Sequence, residues 1–135
     1  MTVHIVRLGT PRLQGEGTRI GTVRRPPRGV PKAEFSSGDW YDTWLPELSP
    51  SAELVKLALA SQKDRSAAGD REWTQFVRKY RAEMAEPAAA HTIALLATLS
   101  THASFSVGCY CEDEARCHRS VLRALLAEAG ARVDS

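Results

Sequence analysis

Cysteine is scarce, aromatic residues are few, net charge is almost nil, and no long hydrophobic run occurs. The three cysteines lie within nine positions, from Cys109 to Cys117, with no distant partner. A disulfide framework is therefore excluded, and a reducing cytoplasm is the expected compartment. A net charge of +2 is too small to argue for nucleic acid without local clustering. The longest apolar stretch, around Ile93 to Leu99, falls far short of the roughly 20 residues that cross a bilayer, and the N-terminus lacks the basic and apolar regions of a secretory signal. No membrane partner is expected. The chain is 43% hydrophobic and 25% charged, with both signs interspersed, which excludes full-length disorder. A length of 135 residues suits a single domain spanning the whole chain.

The β-branched run Thr2 to Leu8, stopped by Gly9-Thr10-Pro11, predicts a first strand. A second extended segment, Thr18 to Val23, leads into Arg24-Arg25-Pro26-Pro27-Arg28-Gly29-Val30-Pro31-Lys32. Its prolines remove backbone donors and forbid helix, leaving a stiff loop that displays four cations. Partly helical spacing marks Asp39 to Leu48, and Ser49-Pro50 then suits the cap and first position of a helix running to about Ala60. After a small polar connection, Gln62 to Gly69, Asp70 is expected to cap the most periodic segment, with Trp73, Phe76, Val77, Tyr80 and Met84 on one face. Pro87 restarts a helix to Leu99 with Leu95, Leu96 and Leu99 on one face. His91 and His102 near its ends are expected at the surface. Ser104 to Cys111 alternates as a strand does, with Phe105, Val107, Cys109 and Cys111 on one face. Cys117-His118-Arg119 opens a last helix whose apolar stripe includes Val121, Leu122, Leu125, Leu126 and Ala129, ended by Gly130. Strands separated by helices predict an α/β domain with a small, mainly parallel sheet flanked by helices.

Several segments carry a resemblance. Gly17-Thr18-Arg19, Arg24 with Pro27-Arg28-Gly29 and Lys32, Trp44 through Leu54, and Phe76 with Tyr80 and Glu83 are similar to the YeaO-like branch of the DUF488 proteins. Cys109-Tyr110, followed eight positions after Cys109 by Cys117-His118-Arg119, resembles the cysteine-bearing pattern of other DUF488 members. The chain thus mixes two branches, and departs from them at Pro26, at Cys111 and around Ser61 to Asp64. The resemblance implies an α/β fold and a family without an established activity, and it names no cofactor.

Chemistry gathers at the last strand-to-helix junction. Cys117 is expected in the first turn of a helix, where free N–H groups and the dipole favour a thiolate, with His118 and Arg119 beside it. The catalytic candidates are accordingly Cys117 as nucleophile or redox thiol, His118 as acid, base or hydrogen-bond donor, and Cys109 as a second thiol. Arg19, Arg24, Arg28 and Arg119 are the candidates for holding a small phosphate- or carboxylate-bearing ligand, since guanidinium forks and a helix N-terminus suit anions. Ligands of open α/β sheets bind beyond the carboxyl ends of the strands. The arginine loop and the cysteine junction both follow such ends, which is the reason to expect them in one pocket.

Two other readings compete. In one, the basic loop contacts nucleotide or nucleic acid, with Trp40, Tyr41 and Trp44 either stacking on bases or forming the core beneath the loop, and the cysteines are merely buried. In the other, Cys109, Cys111, Cys117 and His118 hold a metal. Their C-x-C-x5-C-H spacing is not a familiar zinc pattern, and adjacent residues on a helix project about 100° apart. The sequence therefore assigns no metal ligand.

Overall fold

The computed structural model describes residues 1–134. Four strands, β1 (Val3–Arg7), β2 (Thr18–Gly21), β3 (Thr43–Trp44) and β4 (Phe105–Cys109), form one sheet in the order β1-β4-β2-β3, with every pairing parallel. Four helices complete the domain: α1 (Ala52–Lys63), α2 (Ala67–Met84), α3 (Pro87–Leu99) and α4 (His118–Glu128). The expected α/β architecture is present, and the sheet is parallel throughout. No helix among the described residues is long and apolar enough to cross a membrane.

The main core joins the sheet to all four helices. Ile20, Phe105 and Val107 meet Leu54 of α1, Phe76 and Tyr80 of α2, Ile93 and Leu96 of α3, and Leu122 and Leu126 of α4. On the opposite pleats of the central strands sit Arg19, Ser106 and Gly108. These are covered by coil rather than by helices. Arg19 and Glu16 form a buried ion pair, the Ser106 hydroxyl donates to the Glu16 carbonyl at 3.2 Å, and Leu8 packs against Gly108. Strand β4 is consequently buried along its whole length, although its alternation predicted one polar face. A parallel strand in the middle of a sheet has no face left for solvent.

Several local expectations are corrected. Asp39 to Leu48 is not helical: it contains the short strand β3 and a 3-10 turn, Pro46–Leu48, because Leu45 N–H is claimed by the Gly21 carbonyl at 2.9 Å. Ser51, rather than Ser49, precedes α1, and its N–H is taken by Glu83 of α2 at 2.9 Å. This cap is tertiary and has no local sequence signal. Helix α2 begins at Ala67, with Ser66 as cap accepting from Ala68 N–H, so Asp70 lies inside it. The early start is possible because Gly69 packs on the Asp64 carbonyl, where a Cβ would sit 1.6 Å from the oxygen. On α3 the inward face is Ala89, Ile93, Leu96 and Ala97, leaving Leu95 and Leu99 exposed. Small residues let that helix approach closely, and a leucine-only stripe mislocates the face. His91 and His102 are exposed as expected, and Gly130 ends α4 with φ of +97°.

Candidate functional site

The register sets the site. Arg7 pairs with Cys109, and Gly21 with Gly108, so β1, β2 and β4 all end at one edge of the sheet. Beyond that edge, β2 continues into Thr22, Val23 and the arginine loop, and β4 into Tyr110 and Cys111. The chain returns through Glu112–Arg116 to start α4 at the same place. A cavity of about 440 Å³ opens there, walled by α1 through Val55, Ala58 and Leu59, and by Phe76 of α2. Its polar lining is Arg24, Arg25, Lys56, Gln62 and the Cys109, Cys111, Cys117 and His118 cluster. Among the described residues, three cations face this space and no carboxylate does.

Cys117 is the N-cap of α4, with φ −118° and ψ 152°, one residue before the helical turn expected for it. Because its backbone is extended, the helical divergence between neighbours does not apply, and Cys117 Sγ lies 3.7 Å from His118 Nδ1. The neighbouring Cys109 and then Cys111 thiols outweigh burial and, with the Arg119 N–H and charge, hold the Cys117 thiol below its ordinary value. Cys109 moves the opposite way, raised by its bonds to Cys111 and Cys117 and then by burial. The two shifts run in opposite directions, so Cys117 is the thiol of the cluster that ionises most readily.

His118 is buried against Tyr80, ring centroids 5.7 Å apart in edge contact. Its Nε2 lies 2.8 Å from the Thr22 carbonyl oxygen and 3.0 Å from the Thr22 hydroxyl. That hydroxyl already donates its proton to the Gly108 carbonyl at 2.9 Å. Both oxygens therefore accept, which puts the ring proton on Nε2 and leaves the Nδ1 lone pair facing Cys117. Burial pushes the imidazole down to about 4 against the opposing Thr22 bond, so the ring is neutral at physiological pH.

The arginines expected to bind a ligand separate into three groups. Arg24 lines the cavity together with the cysteines. Arg28 does not. It lines a neighbouring depression of about 660 Å³ with Arg7, Trp40 and Tyr110, and Arg25 borders both spaces. Arg119 is buried, its Nη2 turned back to the Cys111 carbonyl at 2.5 Å, with Nε unpartnered among the described residues. Arg19 faces neither space. Its guanidinium is 1% exposed and bonds Glu16 and the carbonyls of Thr10, Asp39 and Pro11, which is a tie between loops. Tyr41 is core, Trp40 is half-buried, and Trp44 stays exposed while donating to the Val23 carbonyl at 2.6 Å.

Sequence reasoning missed Lys56, Gln62 and Thr22. Lys56 looks like an ordinary solvent position and Gln62 is expected in the polar connection after Ala60, but α1 runs on to Lys63 and its docking over the sheet edge puts Lys56 at the cavity rim and Gln62 in its wall. Gln62 bridges the Arg116 carbonyl at 2.8 Å and the Cys111 sulfur at 3.7 Å, joining α1 to the cysteine turn.

No curated protein and no solved structure matches the chain. A family model described as the active DUF488-N3 subclade, DUF488-N3a, matches residues 3–130, and the chain belongs to that family.

Proposed function

We propose that the chain is an enzyme acting on a small, partly apolar anion, with the Cys117 thiolate as nucleophile. The observation that carries this reading is the cavity's lining, in which a cysteine cluster sits among three cations with no carboxylate between apolar walls. Arg24, Arg25 and Lys56 lower the potential energy of a phosphate or carboxylate there. Val55, Leu59 and Phe76 would take the apolar part of the ligand. When ionised, Cys117 is then the nucleophile in the space, and its sulfur attacks whatever electrophilic centre the anion carries. The subclade's description as active agrees with this reading.

The test uses two alkylating reagents that differ chiefly in charge. In each, a sulfur–carbon bond forms and iodide leaves with the bonding pair. Iodoacetate is an anion and iodoacetamide is neutral, so the ratio of their rates at Cys117, read by peptide mass spectrometry, reports the cavity's charge. Relative to free cysteine, that ratio should rise by about tenfold or more, fall with added salt, and collapse in Arg24→Ala/Lys56→Ala. A ratio equal to that of free cysteine would overturn the anion preference. A Cys117 inert to both reagents would overturn the nucleophile and leave a non-catalytic binding module.

A further inference from the structure

The cysteine cluster has a second geometry that does not depend on any organic ligand. Cys109 Sγ, Cys117 Sγ and a ring nitrogen of His118 all lie within 4.8 Å of one another. Cys111 Sγ is 3.8 Å from Cys109 Sγ, and Cys117 Sγ is 3.7 Å from His118 Nδ1. Zinc bonds of about 2.3 Å to sulfur and 2.0–2.1 Å to nitrogen give a tetrahedron with edges of about 3.8 Å between sulfurs and 3.6 Å between sulfur and nitrogen. Two edges of that tetrahedron already exist.

The surroundings are those of a metal site as well. The imidazole presents Nδ1 as a lone pair because its Nε2–H is held by the Thr22 carbonyl, the arrangement by which a second partner fixes the tautomer of a ligating histidine. Cys111, the most exposed of the four, sits on the turn after β4 rather than in the strand, and its sulfur closes on the other three by a shift of that turn that gives up its Gln62 contact. No carboxylate among the described residues lines the space, which disfavours magnesium and calcium and leaves a thiolate and imidazole set suited to zinc.

We infer that Cys109, Cys111, Cys117 and His118 form a closed tetrahedral site for one zinc-class divalent ion. Binding the ion releases the remaining thiol protons to solvent. It also ties up the Cys117 lone pairs, so the metal-loaded chain is protected from electrophiles and the metal-free chain is not. The inference goes beyond the proposed enzyme and stands without it, because its main readout involves no substrate and no alkylation.

The experiment titrates the reduced, chelator-treated full chain with Co2+ and then Zn2+. The expected result is a thiolate-to-cobalt charge-transfer band with the intense visible bands of tetrahedral cobalt, saturating at one ion per chain and bleached by zinc. Cys111→Ser and His118→Asn should each weaken cobalt binding by about tenfold or more. Circular dichroism verifies that each variant is folded. If His118→Asn does not fold, Cys111→Ser decides, since its position is half-exposed. Absence of the charge-transfer band in the wild-type chain would overturn the site. So would bands unchanged by Cys111→Ser, which would remove the fourth ligand. Zinc should in addition slow iodoacetamide at Cys117 by about tenfold. Failure of this protection while the cobalt bands persist would overturn the assignment of Cys117 as a ligand.

Discussion

The Tyr110 hydroxyl donates to the Arg25 carbonyl oxygen at 2.8 Å, linking the turn after β4 to the basic loop after β2. The bond spans 85 residues of sequence and separates the cysteine cavity from the neighbouring depression that holds Arg28, since Tyr110 lines both. A loop with two adjacent prolines is already stiff. This single bond sets where the stiff segment points.

Tyr110→Phe should therefore loosen the loop without unfolding the protein. A partly exposed hydrogen bond contributes about 1 kcal/mol, so the midpoint of thermal unfolding should move by only a few degrees. Amide exchange at Arg24 and Arg25 should quicken, and the anionic probe 8-anilinonaphthalene-1-sulfonate should bind the cavity several-fold more weakly. Unchanged exchange across the loop would show that the prolines alone hold it.

The Glu16 and Arg19 ion pair predicts a large loss from a small change. Both side chains are at most 2% exposed, and the Glu16 carboxylate also accepts the Leu13 N–H at 2.9 Å. Glu16→Gln would leave a buried guanidinium without its counter-charge, at a cost of about 3–5 kcal/mol. Urea unfolding should report a lower midpoint with little change in slope. A loss under 1 kcal/mol would mean that the carbonyls around Arg19 suffice.

Acid should act through Asp42. Burial alone would raise its carboxyl, but hydrogen bonds from Arg12 and Ser36 and from the Arg19 N–H outweigh this and hold it at about 2. The folded value lies below the ordinary 3.8, so the unfolded chain takes up the proton first. The stabilisation is complete above 3.8 and is lost as pH falls toward 2. It amounts to about 1–2 kcal/mol, because the side chain is partly solvated. Asp42→Asn should flatten the stability profile in that window while leaving the neutral-pH midpoint lower than wild type. An acid profile identical to wild type would remove Asp42 from the account.

The Phe105 strand, the Trp73 to Met84 helix and the helix opened by Cys117 are legible in the sequence, because their apolar periods are strict and each is flanked by a turn or cap residue. The same is true of the pairing of a basic loop with a cysteine junction, since both follow strands that a parallel sheet must end on one side. Cap positions shifted wherever the partner was remote. Glu83 holds the start of α1, and Gly69 lets α2 begin early against Asp64.

The roles within the site were decided only by the tertiary structure. Arg19 and Arg24 each follow a β-branched residue, Thr18 and Val23, yet one is sealed under coil with Glu16 and the other faces the cavity. Strand parity turns Arg19 away from the helices, whereas Arg24 lies past the end of β2, where the sheet edge opens on the cavity. Likewise the extended backbone of Cys117, one residue before the helix, brings its sulfur to His118 Nδ1, a contact that helical geometry at that position would have forbidden. Composition and periodicity determine which residues are apolar and which can react. Distances between reactive atoms depend on dihedral angles and on partners many residues away, and these arise only when the chain packs.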